Sequence, residues 1–318
     1  MDVEGGAATL LVTPAGESVL IDTGMPGDRD PARIHEVATK VAGLKKIDHL
    51  VTTHFHIDHF GGAADLSKLI PIGTVYDYGV PETNPDNPAD RRWSDVIRPY
   101  CEMKVGKRVV LKPGDEIPLK QRENTPALSI RCLMALQKTI EKPEGVLPEN
   151  PLCQTAVQKA EDTSDNANSI ALLLSYGNFQ MFDGGDLTWN VESELVCPVN
   201  LVGPIDVYDV NHHGLDTSNN PLLIRALSPT VAVMSNGVTK GGGPETFRTL
   251  SSTASIQAVY QIHRNIRTGE QGNTSPELIA NLERECDANF IQVSVAESGA
   301  NYTVSIPARD HRRTFQSR

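Results

Sequence analysis

Apolar and polar residues along this chain form short blocks that follow two different periods. Residues 7–22 contain two apolar runs around a Pro-Ala-Gly-Glu turn, which predicts a β-hairpin. Apolar residues then recur at helical spacing at Ile34, Val37 and Val41, and a β-branched run at residues 48–53 predicts a strand. The opening of the chain is therefore predicted to be β-β-α-β.

Regular patterns weaken between residues 81 and 165, where proline is frequent. We predict loop-rich insertions near residues 81–100 and 138–167. The rest of the pattern predicts strands at residues 75–78, 169–176, 179–182, 205–210 and 231–234, helices at 63–70, 221–227, 246–260 and 275–284, and a final hairpin at 290–306. We interpret residues 1–318 as a single domain of the α/β class.

Histidine and aspartate are concentrated directly after the strand that ends at residue 53. The motif H-x-H-x-D-H places His54, His56, Asp58 and His59 within six residues. An extended chain directs the first two histidines to one side, and the Asp-His pair points elsewhere. Two ligand pairs directed at two nearby points indicate two divalent metal ions. Imidazole and carboxylate without thiolate favour zinc, with manganese or iron as alternatives.

Further candidate ligands follow two later strands. One of these strands leads into Asp183-Gly184-Gly185-Asp186, and the other opens into Asn211-His212-His213-Gly214. Side chains at the ends of strands can converge at one edge of an α/β structure, where the scaffold is rigid. We therefore expect these residues to join the first motif.

Together these motifs resemble the signature of the metallo-β-lactamase fold superfamily, over residues 2 to about 245. The resemblance implies a four-layer αββα sandwich. It also implies that Asp22 supports the metal-binding loop by hydrogen bonds, that Asp186 bridges two ions, and that the His-His-Gly step supplies the last ligand. Asp183 is the alternative to Asp186 as the bridge.

On this basis we assign His54, His56 and Asp186 to the first ion. The second ion receives the following ligands: Asp58, His59, Asp186 and His213. His212 would then contact a substrate oxygen or orient a ligand, and an exchange of its role with that of His213 stays open. Asp58 can also take up or relay a proton during catalysis.

The chain departs from the superfamily pattern because no histidine lies between His59 and His212. Most members place a third ligand of the first ion in that interval. Here it holds Asp-Asn-Ala-Asn-Ser at residues 165–169, which resembles the subgroup containing the lactamase-like domain of the DNA-uptake protein ComEC and the phosphorylcholine esterases. Asn168 and Ser169 are candidates to contact substrate or support the site, with capping and turn roles as the alternative. His263 is a candidate to face the cleft near the missing ligand, with a buried structural role as the alternative.

The predicted function is hydrolysis of a phosphoester by a hydroxide held between two metal ions, because this subgroup is associated with phosphodiester substrates. An acyl hydrolase that opens a lactone or β-lactam is one alternative, and a metal-binding module without catalysis is another. A phosphoesterase should present basic or hydrogen-bonding groups around the metals, whereas an acyl hydrolase should present an apolar pocket.

Composition limits the classes of partner that the protein is expected to bind. A net charge of −11 and a pI near 5.3 argue against a large basic surface for duplex DNA, so a small-molecule or phosphoester substrate is favoured over nucleic acid. No apolar run approaches the length of about 18 residues that a membrane span needs. Oligomeric state stays open.

The cysteines give only weak information on compartment. Five cysteines without a C-x-x-C pair indicate neither a disulfide framework nor a cysteine metal site. Their odd number leaves at least one free thiol, which slightly favours a reducing compartment, although one or two disulfides stay compatible with it. A cytoplasmic location and export with a leader that has been removed both stay open.

Overall fold

The first sheet is built from the strands that surround the histidine motif. In the computed structural model, which describes residues 1–141 and 148–318, its five strands are neighbours in sequence order: β1 (Thr9–Val12), β2 (Ser18–Ile21), β3 (Ile47–Val51), β4 (Ile72–Asp77) and β5 (Val105–Val110). β1 and β2 form the predicted antiparallel hairpin, and β2 to β5 run parallel.

The second sheet is larger and mixed. Its strands are β6 (Leu128–Ala135), β7 (Lys138–Thr139), β8 (Ala171–Tyr176), β9 (Phe179–Asp183), β10 (Val207–Asp209), β11 (Val231–Met234), β12 (Ala258–His263) and β13 (Ile279–Asn281). They lie in the order β13-β12-β11-β10-β9-β8-β6-β7, and β9 to β13 are parallel. A third, antiparallel sheet contains β14 (Gln292–Val295), β15 (Asn301–Ile306) and β16 (His311–Gln316).

Helices pack with each sheet. Their bounds are α1 (Arg29–Glu36), α2 (Ile57–Phe60), α3 (Ala63–Leu69), α4 (Trp93–Glu102), α5 (Trp189–Glu194), α6 (Pro221–Leu227) and α7 (Pro244–Ser252). One turn of π-helix, Val37–Val41, extends α1. Ile34 of α1, Leu66 of α3 and Tyr100 of α4 share a buried cluster with the first sheet, whereas α6 and α7 share one with the second sheet.

Both faces of the second sheet are buried. Consecutive side chains on a strand point to opposite faces. In β10, Val207 packs with the third sheet while Tyr208 packs with the helices, and Met181 and Phe182 of β9 divide in the same way. Inner-face residues of β6 and β8 share a cluster with the first sheet. The layers therefore form the expected αββα sandwich, with the third sheet covering the remainder of the inner face.

The carboxyl ends of the parallel strands of both sheets point toward one region of the molecule. Asp22 follows β2, the H-x-H-x-D-H motif follows β3, Asp186 follows β9 and His213 follows β10. Since ligands of open parallel sheets bind beyond the carboxyl ends of strands, the fold brings the predicted motifs together.

Some predicted elements were wrong. Residues 246–260 are not one helix, because α7 ends at Ser252 and β12 begins at Ala258. Residues 275–284 contain a short 3₁₀ turn and β13 instead of a helix. The insertion at 81–100 is loop only as far as α4, and the insertion at 138–167 lies partly outside the described residues.

A disulfide joins Cys153 to Cys197, while Cys101, Cys132 and Cys286 are free thiols. The bond was not indicated by the spacing of the cysteines, which are 44 residues apart. It ties the second insertion to the segment that follows α5. Within residues 1–141 and 148–318, no helix combines the length and apolar character that a membrane crossing requires.

Candidate metal centre

The histidine motif changes direction between a strand and a helix. β3 ends at Val51, the next residues are irregular, and His56 precedes the first residue of α2, Ile57. Asp58 and His59 therefore project from a helical turn, as their spacing predicted. This change of direction is what separates them from the two histidines before them.

Asp22 holds the histidine motif in place through hydrogen bonds. Its backbone is left-handed, with φ of 60°, and its side chain is buried. One carboxylate oxygen accepts the Thr53 backbone N–H at 2.8 Å, and the other lies 2.7 Å from both Thr53 Oγ1 and His59 Nδ1. Because Nδ1 of His59 is held in this way, its Nε2 is left to face the site.

Asp186 lies at the centre of the site, after a turn that requires glycine. Gly185 has φ of +55°, and an added Cβ would come 3.0 Å from the Thr53 side chain. Ser169 Oγ accepts the Asp186 backbone N–H at 3.2 Å, so Ser169 supports this turn. Asp183 lies away from the other ligands, where its carboxylate accepts the Gly185 N–H at 2.9 Å.

His212 and His213 occupy two successive left-handed positions, with φ of 52° and 55°. Such backbone costs non-glycine residues on the order of 1–3 kcal/mol each, and it concentrates at functional sites. The His213 ring contacts the Ser235 carbonyl through Nδ1 at 3.1 Å and presents Nε2 to the site. The His212 ring contacts Ser218 Oγ through Nδ1 at 3.0 Å.

Four ligand atoms form what we call the tight cluster: Asp58 Oδ2, His59 Nε2, Asp186 Oδ2 and His213 Nε2. His59 Nε2 lies 3.5 Å from the Asp58 oxygen, 3.2 Å from the Asp186 oxygen and 3.3 Å from His213 Nε2. His213 Nε2 lies 3.3 Å from each carboxylate oxygen. A tetrahedral ion with ligands at about 2.0 to 2.2 Å separates those ligands by about 3.3 to 3.6 Å. Asp58, His59 and His213 therefore lie close enough together to share one divalent ion, and Asp186 Oδ2 lies at the same spacing from His59 and His213.

The predicted first position is less complete. His54 is fully buried, and its Nε2 has no hydrogen-bond partner among the described residues. This nitrogen lies 3.9 Å from Asp186 Oδ2, and an unpartnered imidazole nitrogen is a natural metal ligand. His56 is not part of this group, because its Nε2 lies 2.7 Å from Asp86 Oδ2 at the accessible rim.

The interval without histidine supplies an asparagine to the site. Asn166 is buried; its Nδ2 lies 3.5 Å from His212 Nε2, and its Oδ1 has no partner within the part of the chain that the structure describes. Asn168 instead donates to the Asp165 carboxylate at 3.0 Å, which in turn accepts the Phe55 N–H. Asn166 thus faces the cluster, whereas Asn168 reaches the histidine motif through Asp165.

A lysine that the sequence analysis did not select also reaches the site. The Lys240 ammonium contacts the Asp58 carboxylate. Lys240 precedes three glycines that pack on the His-His-Gly step, where an added Cβ on Gly241 would lie 2.0 Å from the His213 carbonyl oxygen. The glycine turn therefore places the Lys240 ammonium at the rim. Lys240 and Asp58 are 182 residues apart, so no local motif indicates their contact.

His263 lies elsewhere. It is buried, and its Nε2 lies 2.7 Å from Asp2 Oδ1, away from the tight cluster. Asp2 also receives Arg33 and the Glu4 backbone N–H, so this contact anchors the start of the chain.

Burial and charge set the protonation of the site. Burial alone would raise the pKa of Asp58, but the adjacent His59, His213 and Lys240 hold it below its usual range. Burial lowers the pKa of His54 well below its ordinary value and lowers the pKa of His212 to about 4. Both imidazoles are therefore neutral at pH 7 and can offer a nitrogen lone pair.

The fold and this geometry agree with the comparison to known families. Residues 1–130, which carry Asp22 and the histidine motif, match the model of the metallo-β-lactamase superfamily. The matched segment is less than half of the chain and contains the first sheet together with the histidine motif, so over these residues the chain is similar to the superfamily.

Individual relatives are more distant. The chain is 24% identical over 243 residues to competence protein ComA of Neisseria gonorrhoeae, which covers 73% of this chain but only about a quarter, 26%, of that protein. A diphosphatase of the PhnP family is similar over 80% of this chain and 81% of its own, with 16% identity and a TM-score of 0.40. A metallo hydrolase from Ignicoccus hospitalis is similar over 86% of this chain and 96% of its own, with 15% identity and a TM-score of 0.42. The diiron β-hydroxylase CmlA of Streptomyces venezuelae is similar over 74% of this chain and 44% of its own, with 16% identity and a TM-score of 0.41.

Proposed function

We propose that this protein hydrolyses a phosphoester with divalent metal held by the tight cluster. The observation that carries the proposal is the Lys240 ammonium, which lies against the Asp58 carboxylate at the accessible rim of the site. A cation at this place can hold an oxygen of a phosphoester anion through a charge-assisted hydrogen bond. A neutral lactone or amide gains less from such a contact.

The rim around Lys240 is polar. Asn166 lies beside His212, His212 lies beside Asp186, and His56 pairs with Asp86 at the accessible end of the motif. The large apolar cavity of the protein, about 610 Å³, is formed instead by residues of β1, β8, β9 and β14. These surroundings match the hydrogen-bonding environment expected of a phosphoesterase more closely than the apolar pocket expected of an acyl hydrolase.

A divalent ion in the tight cluster would supply a Lewis acid and lower the pKa of water that it binds. The protein's own residues then position the substrate. Lys240 holds one phosphate oxygen at the rim, and His212, whose Nε2 lies 3.5 Å from Asp186 Oδ2, contacts a second substrate oxygen. Asp58 contacts Lys240 and so positions this cation at the rim. We favour a small phosphoester over a nucleic acid duplex, since the net charge is −11.

A panel of chromogenic substrates tests the proposal: bis(4-nitrophenyl) phosphate, 4-nitrophenyl phosphate, a lactone and a cephalosporin. We expect hydrolysis of a phosphoester. Lys240→Ala should raise KM for that ester by about tenfold or more, because it removes a hydrogen bond from a charged group. Lys240→Arg should restore part of the loss, since it keeps the charge.

Lys68→Ala is the matched control, because Lys68 is an exposed lysine of α3 that pairs with Asp65. It should leave KM unchanged. Hydrolysis of the lactone or cephalosporin without any phosphoester hydrolysis would contradict the proposal, and so would an unchanged KM in Lys240→Ala.

A further inference from the structure

The two predicted metal positions differ in how completely their ligands are assembled. In the tight cluster, five distances between ligand atoms lie between 3.2 and 3.5 Å. At the neighbouring place, which we call the His54 position, His54 Nε2 lies 3.9 Å from Asp186 Oδ2, and the third candidate there, His59, already belongs to the tight cluster. An ion there would begin with fewer ligands than the one beside it.

His56, which the sequence analysis assigned to the His54 position, contacts Asp86 instead. The rings of His54 and His56 are close, with centroids 4.7 Å apart, yet His56 Nε2 lies 2.7 Å from the Asp86 carboxylate. Asp86 is itself fixed, because its other oxygen accepts the Asp165 N–H at 2.7 Å and its own N–H donates to Asn84. The first insertion therefore holds His56 away from the His54 position.

We infer that the protein binds two metal ions unequally, with the tight cluster filled first and the His54 position filled only when His56 leaves Asp86. The first insertion then acts as a gate for the second ion. The interval between His59 and His212 contains no histidine that could replace His56.

The inference rests on the metal-dependent function proposed above, but metal binding is measured without substrate. Protein that binds two ions unequally and hydrolyses no phosphoester would refute the function and support the inference. Equal binding of two ions by an active enzyme would do the opposite.

The experiment titrates chelator-treated protein with Co²⁺ while the visible spectrum is recorded, and counts retained Zn²⁺ by elemental analysis after dialysis against metal-free buffer. We expect two resolved binding events and retention of one zinc ion per chain. Circular dichroism confirms that each variant is folded. His56→Ala should remove the weaker event alone, whereas His213→Ala should remove the tighter event.

The Asp86→Asn variant tests whether the charge of Asp86 restrains His56. The substitution keeps an oxygen for the Asp165 N–H but removes the charge that holds His56. If Asp86 restrains His56, the metal affinity of the weaker event should rise by about tenfold. This is the low end of the effect of a hydrogen bond to a charged group, because the pair is partly exposed. The tighter event should not change. Asp95→Asn, which neutralises an exposed carboxylate of α4, is the matched control.

Three results would overturn the inference. Two ions that bind with equal affinity would show that the positions are equivalent. Loss of the tighter event in His56→Ala would show that His56 belongs to the tight cluster. A weaker or unchanged second event in Asp86→Asn would show that Asp86 is a ligand or has no influence on His56.

Discussion

At the scale of single residues, four side chains of one short motif enter three different environments. Asp58 and His59 belong to the tight cluster, His54 faces the site without a partner, and His56 contacts Asp86 at the rim. The division follows from the start of a helix within the motif, which changes the direction of successive side chains. Spacing along the chain therefore predicted the direction of each pair but not the partner of each residue.

The contact between Asp22 and His59 gives a prediction at this scale. Asp22→Asn keeps a residue that tolerates the left-handed backbone, but it weakens the support of the His59 ring. We expect affinity of the tight cluster for Zn²⁺ to fall about 10- to 100-fold, the usual effect of removing such a partner. Competition with a chromogenic chelator measures this.

Asp48→Asn is a suitable control, because Asp48 contacts Ser18 and Lys46 on the first sheet and lies outside the ligand groups. Unchanged zinc affinity in Asp22→Asn would show that the orientation of His59 does not depend on Asp22.

The candidate site could be predicted as far as local patterns define it. Asp186 and His213 follow strands and carry recognisable motifs, so their convergence with His59 was expected. Lys240 and Asp86 have no such motif. Lys240 reaches Asp58 because a glycine turn packs on a distant loop, and Asp86 reaches His56 because an insertion folds over the rim. Contacts of this kind depend on tertiary packing that no single stretch of sequence contains.

At the scale of elements, the segments after the insertions show why some helices and strands were predicted correctly and others were not. β11 and α6 were predicted with their observed bounds, because each is a short run with clear flanking signals. β12 was predicted as part of a helix. All six residues of β12 are buried, so the alternation that distinguishes a strand is absent.

One buried carboxylate connects two elements near the site. Glu192 of α5 accepts the Asn211 side-chain amide at 2.7 Å and the backbone N–H groups of Asn219 and Asn220 at 2.8 and 2.6 Å. It thereby fixes the loop that begins the His-His-Gly step to the residues before α6. Burial raises the pKa of Glu192 to about 7, although these hydrogen bonds oppose the change.

This pKa gives a prediction about stability. The folded protein keeps the Glu192 proton up to about pH 7, whereas the unfolded chain releases it near the ordinary glutamate pKa of 4.5. The contribution of Glu192 to the free energy of unfolding is therefore largest below pH 4.5 and is lost as the pH rises to about 7. At about 1.4 kcal/mol per pH unit, the loss is about 3 kcal/mol.

Glu192→Gln cannot titrate. The difference in unfolding free energy between the wild type and this variant should therefore fall by about 3 kcal/mol between pH 4.5 and pH 7.5, as measured by urea unfolding. Glu102→Gln, an exposed change at the end of α4, should show no such trend. A constant difference across this range would mean that the pKa of Glu192 is not raised in the folded protein.

At the scale of the whole molecule, the site exists only because two halves of the chain meet. The first sheet contributes Asp58 and His59, and the second sheet contributes Asp186 and His213. The αββα arrangement followed from the resemblance to the superfamily. Periodicity alone did not define it, because several strands of the second sheet are buried on both faces and lack alternation.

The central claim is that the tight cluster holds the metal on which phosphoester hydrolysis depends. The most direct measurement is the rate of bis(4-nitrophenyl) phosphate hydrolysis by chelator-treated protein before and after one equivalent of Zn²⁺, with His59→Ala treated identically. We predict that treatment abolishes hydrolysis, that zinc restores it in the wild type, and that His59→Ala does not recover. Undiminished hydrolysis by the treated protein, or full recovery of His59→Ala, would contradict the claim.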